Sequence, residues 1–154
     1  MPAVLDKLSS LGIQLPAAPK AVANYLPAVL AGDLVIVSGQ LPMKDGAVAC
    51  KGYLGKDVSV DDGYAAARQC AINGLAAASG LLDGQLDRIV QVVRVGGFVA
   101  SAAGFTDQPK VINGASDFLV EVFGDAGRHA RAAVGVSELP LGAAVEVEFT
   151  FRVG

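Results

Sequence analysis

Arg131, Glu146 and Glu148 stand inside two otherwise apolar runs, "ARAAVGVSELP" and "GAAVEVEFTF". Charges set into a strand pattern must reach water or meet one another. Alternation puts Arg131, Ala133, Gly135 and Ser137 on one side of the first run, and Glu146, Glu148, Thr150 and Arg152 on one side of the second. A hairpin with its loop at Glu138 to Leu141 sets Ser137 opposite Gly142. Arg131 then falls opposite Glu148 and diagonal to Glu146, at about 5 Å and about 7–8 Å, and a shift of two residues exchanges the two glutamates. The valine and phenylalanine side covers the helices, and the three charges share the helix-free side, where Ala133 and Gly135 leave room for an approaching group.

Two chemistries fit that placement. A solvated cross-strand ion pair stabilises by about 0–1 kcal/mol and has no functional content. If the helix-free side instead meets another subunit, the planar fork of Arg131 is suited to a small carboxylate, and a glutamate beside it holds or polarises a water. His129 reads either as an acid or base beside Arg131 or as a strand-edge residue. Asp107, Asn113 and Asp117 cluster near a helix start, where capping is the simplest role, and Tyr25 fits core or pocket.

The elements that must position these residues follow from pattern. Residues 3 to 11 form a short amphipathic helix bearing Val4, Leu5, Leu8 and Leu11, stopped at Gly12, and it reads as an appendage. Gly32-Asp33 marks a turn into the strand "DLVIVSGQLP", which Pro42 ends, and "KDG" at 44–46 turns a hairpin into "AVACKGYLG". Ser59 with Asp62 resembles a capping box opening a helix to about Leu82, with Tyr64, Ala67, Ala71, Leu75 and Ala78 as its buried stripe. "RIVQVVRVGGFVAS" reads as a central strand covered on both sides, its "VGG" marking a bulge or close backbone approach. A second amphipathic helix starts near Gln108 and stops at Gly124 or Gly127. The order strands, helix, strand, helix, strands implies an α+β domain spanning residues 1–154, with both long helices on one face of a single sheet.

Composition narrows the function classes. At 154 residues with 53% hydrophobic and 18% charged side chains, the chain can bury a core unaided and leave apolar surface for subunit contact. A net charge of −3 with no basic cluster argues against nucleic acid as a partner. Cys50, Cys70 and the single histidine make no metal-ligand set, so no metal is expected, and the cysteines read as small hydrophobes. No run approaches about 18 consecutive apolar residues and no secretory leader is evident. These features imply a cytoplasmic protein with no membrane partner.

The ordered set "NYLPAVLAGDLVIVSGQLP", "VINGASDFLVEVFG" and "HAR…VGVSELP…VEVE" resembles the RidA/YjgF reactive-intermediate deaminase family over about Asn24 to Val153. The resemblance implies a chorismate-mutase-like α+β fold, a homotrimer with clefts between subunits, no cofactor, and hydrolysis of 2-imino or enamino acids to 2-keto acids and ammonia. It assigns Arg131 to the substrate carboxylate and Glu146 to the attacking water. Ser38, Gly39 and Ala133 would line the cleft through backbone groups, Tyr25 would close a wall, and Asn113 would contact the ligand. The proline usual before the family's Ala-Arg is His129 here, and Tyr25-Leu26-Pro27 replaces its Tyr-Ser-Gln. The N-terminal helix and the longer 104–114 loop resemble a separate branch. The alternatives are a non-catalytic trimer that binds a small carboxylate and, less favoured by the acidic charge, an endoribonuclease or translation inhibitor.

Overall fold

Apolar alternation in the last run decides the middle of the sheet. In the computed structural model, which describes residues 3–21 and 23–154, β7 (Val145–Val153) buries Val145, Val147, Phe149, Phe151 and Val153 and leaves the residues between them less covered. Burying one such side chain stabilises by about 1.5–3 kcal/mol. With every second position committed to the core, β7 needs partners on both edges, and it pairs antiparallel with β2 (Leu34–Gln40) and β5 (Ile89–Ala100). The full order of the five-stranded sheet is β1-β2-β7-β5-β6, with β1 at Ala28–Ala31 and β6 at Ala130–Val136. A separate ribbon of β3 (Met43–Lys44) and β4 (Ala47–Val48) turns through Asp45 and Gly46 at φ 52° and 80°, the positive-φ pair that a tight hairpin needs.

Both long helices lie on one face of the sheet. Ser59 Oγ accepts from the Asp62 amide at 3.0 Å and opens α2 (Val60–Leu81), as the capping pattern predicts. Ala67, Ala71, Leu75 and Ala78 are fully buried, while Tyr64 sits at the rim and donates through its hydroxyl to Asp117. The α2 backbone comes so close to the sheet that a Cβ at Gly74 would lie 2.6 Å from the Phe149 ring. α3 (Gln108–Phe123) packs beside α2 and over β5, and Gly124, at φ 62°, ends it. At Gly97 an added Cβ would meet Ile112 at 2.5 Å, so "VGG" does mark close approach. The N-terminal α1 (Val4–Ser10) is not an appendage. Leu8 is 1% exposed within the core, and the Val4 amide donates to Asp87 Oδ1 at 2.7 Å.

The C-terminal runs do not form the predicted hairpin. β6 pairs with β5, in parallel, with Val95 beside Arg131 and Gly97 beside Ala133. After β6 the segment 137–144 crosses the end of β5, and β7 enters the sheet on the far side of that strand. The end of β5 holds both: the Ser101 amide donates to Val136 O at 3.1 Å and the Ala100 amide to Ala144 O at 2.9 Å. β5 is internal as expected, but only one of its faces is fully covered, since Val90 is 43% exposed on the other.

The same pairing reverses the faces of β6. Parallel partners point the same way, so Arg131, Ala133 and Gly135 share the helix side with Val95, Gly97 and Val99. Val134, 46% exposed, lies on the helix-free side with Phe98 and Glu146.

The α2–α3 contact is the most restrictive in the fold. A Cβ at Gly114 would sit 1.9 Å from the Tyr64 carbonyl oxygen. Gly114→Ala should therefore destabilise by about 1–3 kcal/mol or more by forcing the helices apart, although alanine in an unconstrained helix gains about 1 kcal/mol over glycine. Urea unfolding checks the sign.

Candidate functional site

Arg131 lies beside α3 at the free edge of the sheet. Its Nη1 donates to Asn113 Oδ1 at 2.8 Å and to Ser116 Oγ at 3.2 Å, two side chains one helical turn apart on the same face. Both protons of Nη1 are thus directed at the helix. Among the described residues Nε and Nη2 have no hydrogen-bond partner, and Arg131 is exposed, so the outer edge of the guanidinium is available to a planar anion. Ala133, next but one along β6, is half-buried against the core and offers a small wall.

His129 belongs to the same cluster. It precedes β6, shares the side of Arg131 two residues away, and reaches Ser116 Oγ through Nε2 at 2.8 Å and Gly127 O through Nδ1 at 2.6 Å. Ser116 is the residue that sequence reasoning missed. The available signal was its spacing from Asn113, which puts two short polar side chains one turn apart on the same side of an amphipathic helix. The capping roles are not observed. Asp107 makes no side-chain cap and lies 3.7 Å from Lys110, Asn113 is taken by Arg131, and Asp117 accepts from Tyr64 at 2.8 Å.

Glu146 and Glu148 occupy the other side of the sheet. Pairing runs from Glu146 through Phe98 to Val134, and from Glu148 through Gly96 to Ala132, whereas Arg131 pairs with Val95 and through it aligns with Phe149. The expected cross-strand contact of Arg131 with Glu148 is therefore absent, for two reasons. β5 separates the strands, and the residues point to opposite faces. Glu148 has Arg94 near it instead; both side chains fold over Gly96, where an added Cβ would lie 2.8 Å from each.

A second group of predicted residues gathers around Glu146. Between the Val37–Phe149 and Gln40–Val147 pairs, β2 carries two residues, Ser38 and Gly39, against one on β7. This bulge turns Gly39 toward Glu146, whose Cδ lies 3.0 Å from where a Gly39 Cβ would be. Ser38 spends its polar groups locally, the hydroxyl donating to Leu26 O at 2.6 Å and the amide to Pro27 O at 2.9 Å. Those bonds tie the Tyr25 segment to the bulge. Tyr25 is 56% exposed, which excludes the core role. Burial, and next the nearby Glu148 charge, push the Glu146 carboxyl above its ordinary range.

The chain thus carries two candidate half-sites: Arg131, Asn113 and Ala133 with Ser116 and His129 on one side, and Glu146 with Gly39, Ser38 and Tyr25 on the other. Neighbouring strands lie about 4.8 Å apart, and a strand and the sheet itself stand between the halves. One small molecule cannot touch both within one chain. Among the described residues no cluster of histidine, cysteine or acidic side chains could hold a metal ion. Nor, among these residues, is any helix long and apolar enough to cross a membrane.

Residues 6–151 match the family described as "YjgF/chorismate_mutase-like, putative endoribonuclease". The chain belongs to this family. Among curated proteins it is similar to Protein TCP17 of Trypanosoma cruzi, 48% identical over 146 residues, which are 94% of this chain and 91% of that one. Among solved YjgF-like structures, an Agrobacterium tumefaciens protein of unknown function superposes with a TM-score of 0.92 at 43% identity, over 99% of this chain and 94% of its own. A Shewanella oneidensis protein that carries the same endoribonuclease designation gives 0.94 at 34% identity, over 99% and 100%.

The carboxyl of Glu146 has a measurable consequence. A raised carboxyl pKa in the folded state means that the ionised form is penalised on folding, and the penalty is present above that pKa and gone below the unfolded value. Glu146→Gln should therefore raise the melting temperature at neutral pH, with the gain shrinking as pH falls through the carboxylate range. Thermal melts at several pH values provide the comparison.

Proposed function

We propose that this YjgF-family protein hydrolyses small 2-imino or enamino acids to 2-keto acids and ammonia, in clefts that form where protomers of a homotrimer meet. The observation that carries the reading is the guanidinium of Arg131, with Nη1 committed to α3 and its other donors available to a carboxylate. The separation of the half-sites supports assembly, because Glu146 can approach an acid held on Arg131 only from a second copy. The helix-free side that would meet that copy exposes Val29, Ile36 and Val134 at 40%, 42% and 46%, apolar surface that association would cover.

In this reading the substrate carboxylate lies on the outer edge of Arg131, and Ala133 and Gly39 leave space for a short side chain. Glu146 of the neighbouring copy takes a proton from water as the oxygen adds to the imine carbon, and the proton is delivered to nitrogen. Collapse of the carbinolamine expels ammonia and leaves the 2-keto acid, so one water is consumed for each imine. A carboxyl above its ordinary range is a better base near neutrality. No cofactor or metal enters these steps. The net charge of −3 disfavours an RNA substrate.

A dehydratase that releases 2-iminopropanoate, coupled to detection of pyruvate, tests the reaction. Wild-type protein should accelerate pyruvate release, and Arg131→Ala should lower kcat/KM by roughly a hundred-fold or more while light scattering still reports a trimer. An active Arg131→Ala protein removes the site assignment. A wild type that binds pyruvate but leaves the imine's decay unchanged favours the non-catalytic carboxylate binder.

A further inference from the structure

A chain of hydrogen bonds with a fixed direction runs behind Arg131. A guanidinium only donates and a backbone carbonyl only accepts. Gly127 O lies 2.6 Å from His129 Nδ1, so Nδ1 carries the proton. In the neutral ring Nε2 is then an acceptor, and the Ser116 hydroxyl donates to it across 2.8 Å. With its proton so used, Ser116 Oγ turns a lone pair to Arg131 Nη1 at 3.2 Å, while the other Nη1 proton goes to Asn113 Oδ1 at 2.8 Å. The polarity from Arg131 through Ser116 and His129 to the carbonyl is set at both ends.

We propose that Ser116 and His129 are positioning residues for Arg131, holding the guanidinium so that its Nε and Nη2 edge faces the cleft. The proposal rests on Arg131 being the carboxylate anchor. The support is stiff, because Ile112, Ala115, Phe118 and Leu119, which flank Asn113 and Ser116 on α3, are all fully buried. An exposed arginine left to itself samples many rotamers, and binding an acid must order it. Fixing one nitrogen in advance removes part of that cost. His129 acts only through Ser116, and an imidazole suits the task because its two nitrogens can accept from a hydroxyl and donate to a carbonyl at once.

Pyruvate, titrated into the assembled protein and followed by calorimetry, is the probe. Ser116→Ala and His129→Phe should each raise its Kd roughly ten-fold. His129→Gln should restore the Kd to within about two-fold of wild type, since a carboxamide can accept from Ser116 and donate to Gly127. A readout that does not depend on ligand comes from nitrogen-15 NMR of the free protein. Wild type and His129→Gln should keep distinct Arg131 Nη1 and Nη2 signals, and Ser116→Ala and His129→Phe should merge them by freeing rotation. Loss of pyruvate binding in Arg131→Lys, with wild-type affinity and distinct signals in Ser116→Ala and His129→Phe, would leave the anchor standing and overturn the positioning role alone. Wild-type pyruvate affinity in Arg131→Lys would remove the anchor and this inference with it.

Discussion

The parallel pairing of β6 with β5 decides which face Arg131 and Ala133 occupy, and with it their separation from Glu146. Had the two C-terminal strands paired with each other, Arg131 would face the same side as Glu146 and Glu148. Because β6 follows α3 to the outside of β5, the arginine instead looks at the helix that precedes it. The gain is a rigid mount. Asn113 and Ser116 project from a helix whose opposite side is fully buried, so the guanidinium is referenced to the core rather than to a loop.

Close approach is the second constraint, and glycine meets it. α2 can lie against Phe149 because Gly74 has no side chain, α3 can lie on β5 because of Gly97, and the helices can meet at Gly114. The alanine stripe of α2 extends the same economy along its length. Bringing both helices down onto the sheet brings the amide and hydroxyl of α3 within reach of β6. The packing of the core and the geometry of the anchor are therefore one problem.

Much of this was legible in the sequence, and what was not has a physical reason. The Ser59 cap, the Asp45-Gly46 turn, the α2 stripe and the limits of α3 follow from local rules, since capping, positive φ and helical period act over a few residues. The burial of Val145, Val147, Phe149 and Phe151 was legible too, because period two fixes a strand's faces whatever its partner. Partner choice was not. Nothing local distinguishes a hairpin from a chain that steps across one intervening strand, and the face of Arg131 turned on that choice. The bulge at Ser38-Gly39 was not legible for a similar reason, since nothing local marks the extra residue that reverses the faces after it. Ser116 went unread because its spacing from Asn113 gains meaning only from partners outside its helix, Arg131 and His129.

Division of the site between two faces has a consequence for how such a protein would be controlled. On the proposed reading, a lone chain would keep the carboxylate anchor on one side and a carboxyl with a raised proton affinity on the other, and neither half alone would have the means to carry out imine hydrolysis. In the proposed assembly the interface that covers Ile36 and Val134 also delivers Glu146 to Arg131, so burial of apolar surface and completion of the site are the same event. Covering the sheet face in that assembly would further desolvate Glu146, which raises its proton affinity, while the approach of a guanidinium lowers it. The second effect acts only where an arginine arrives. The proposed cleft would thus hold Glu146 as an ionised base while Glu148 lies beside Arg94 over Gly96, so that two carboxylates at alternate positions on one side of the same strand would take different roles from different surroundings.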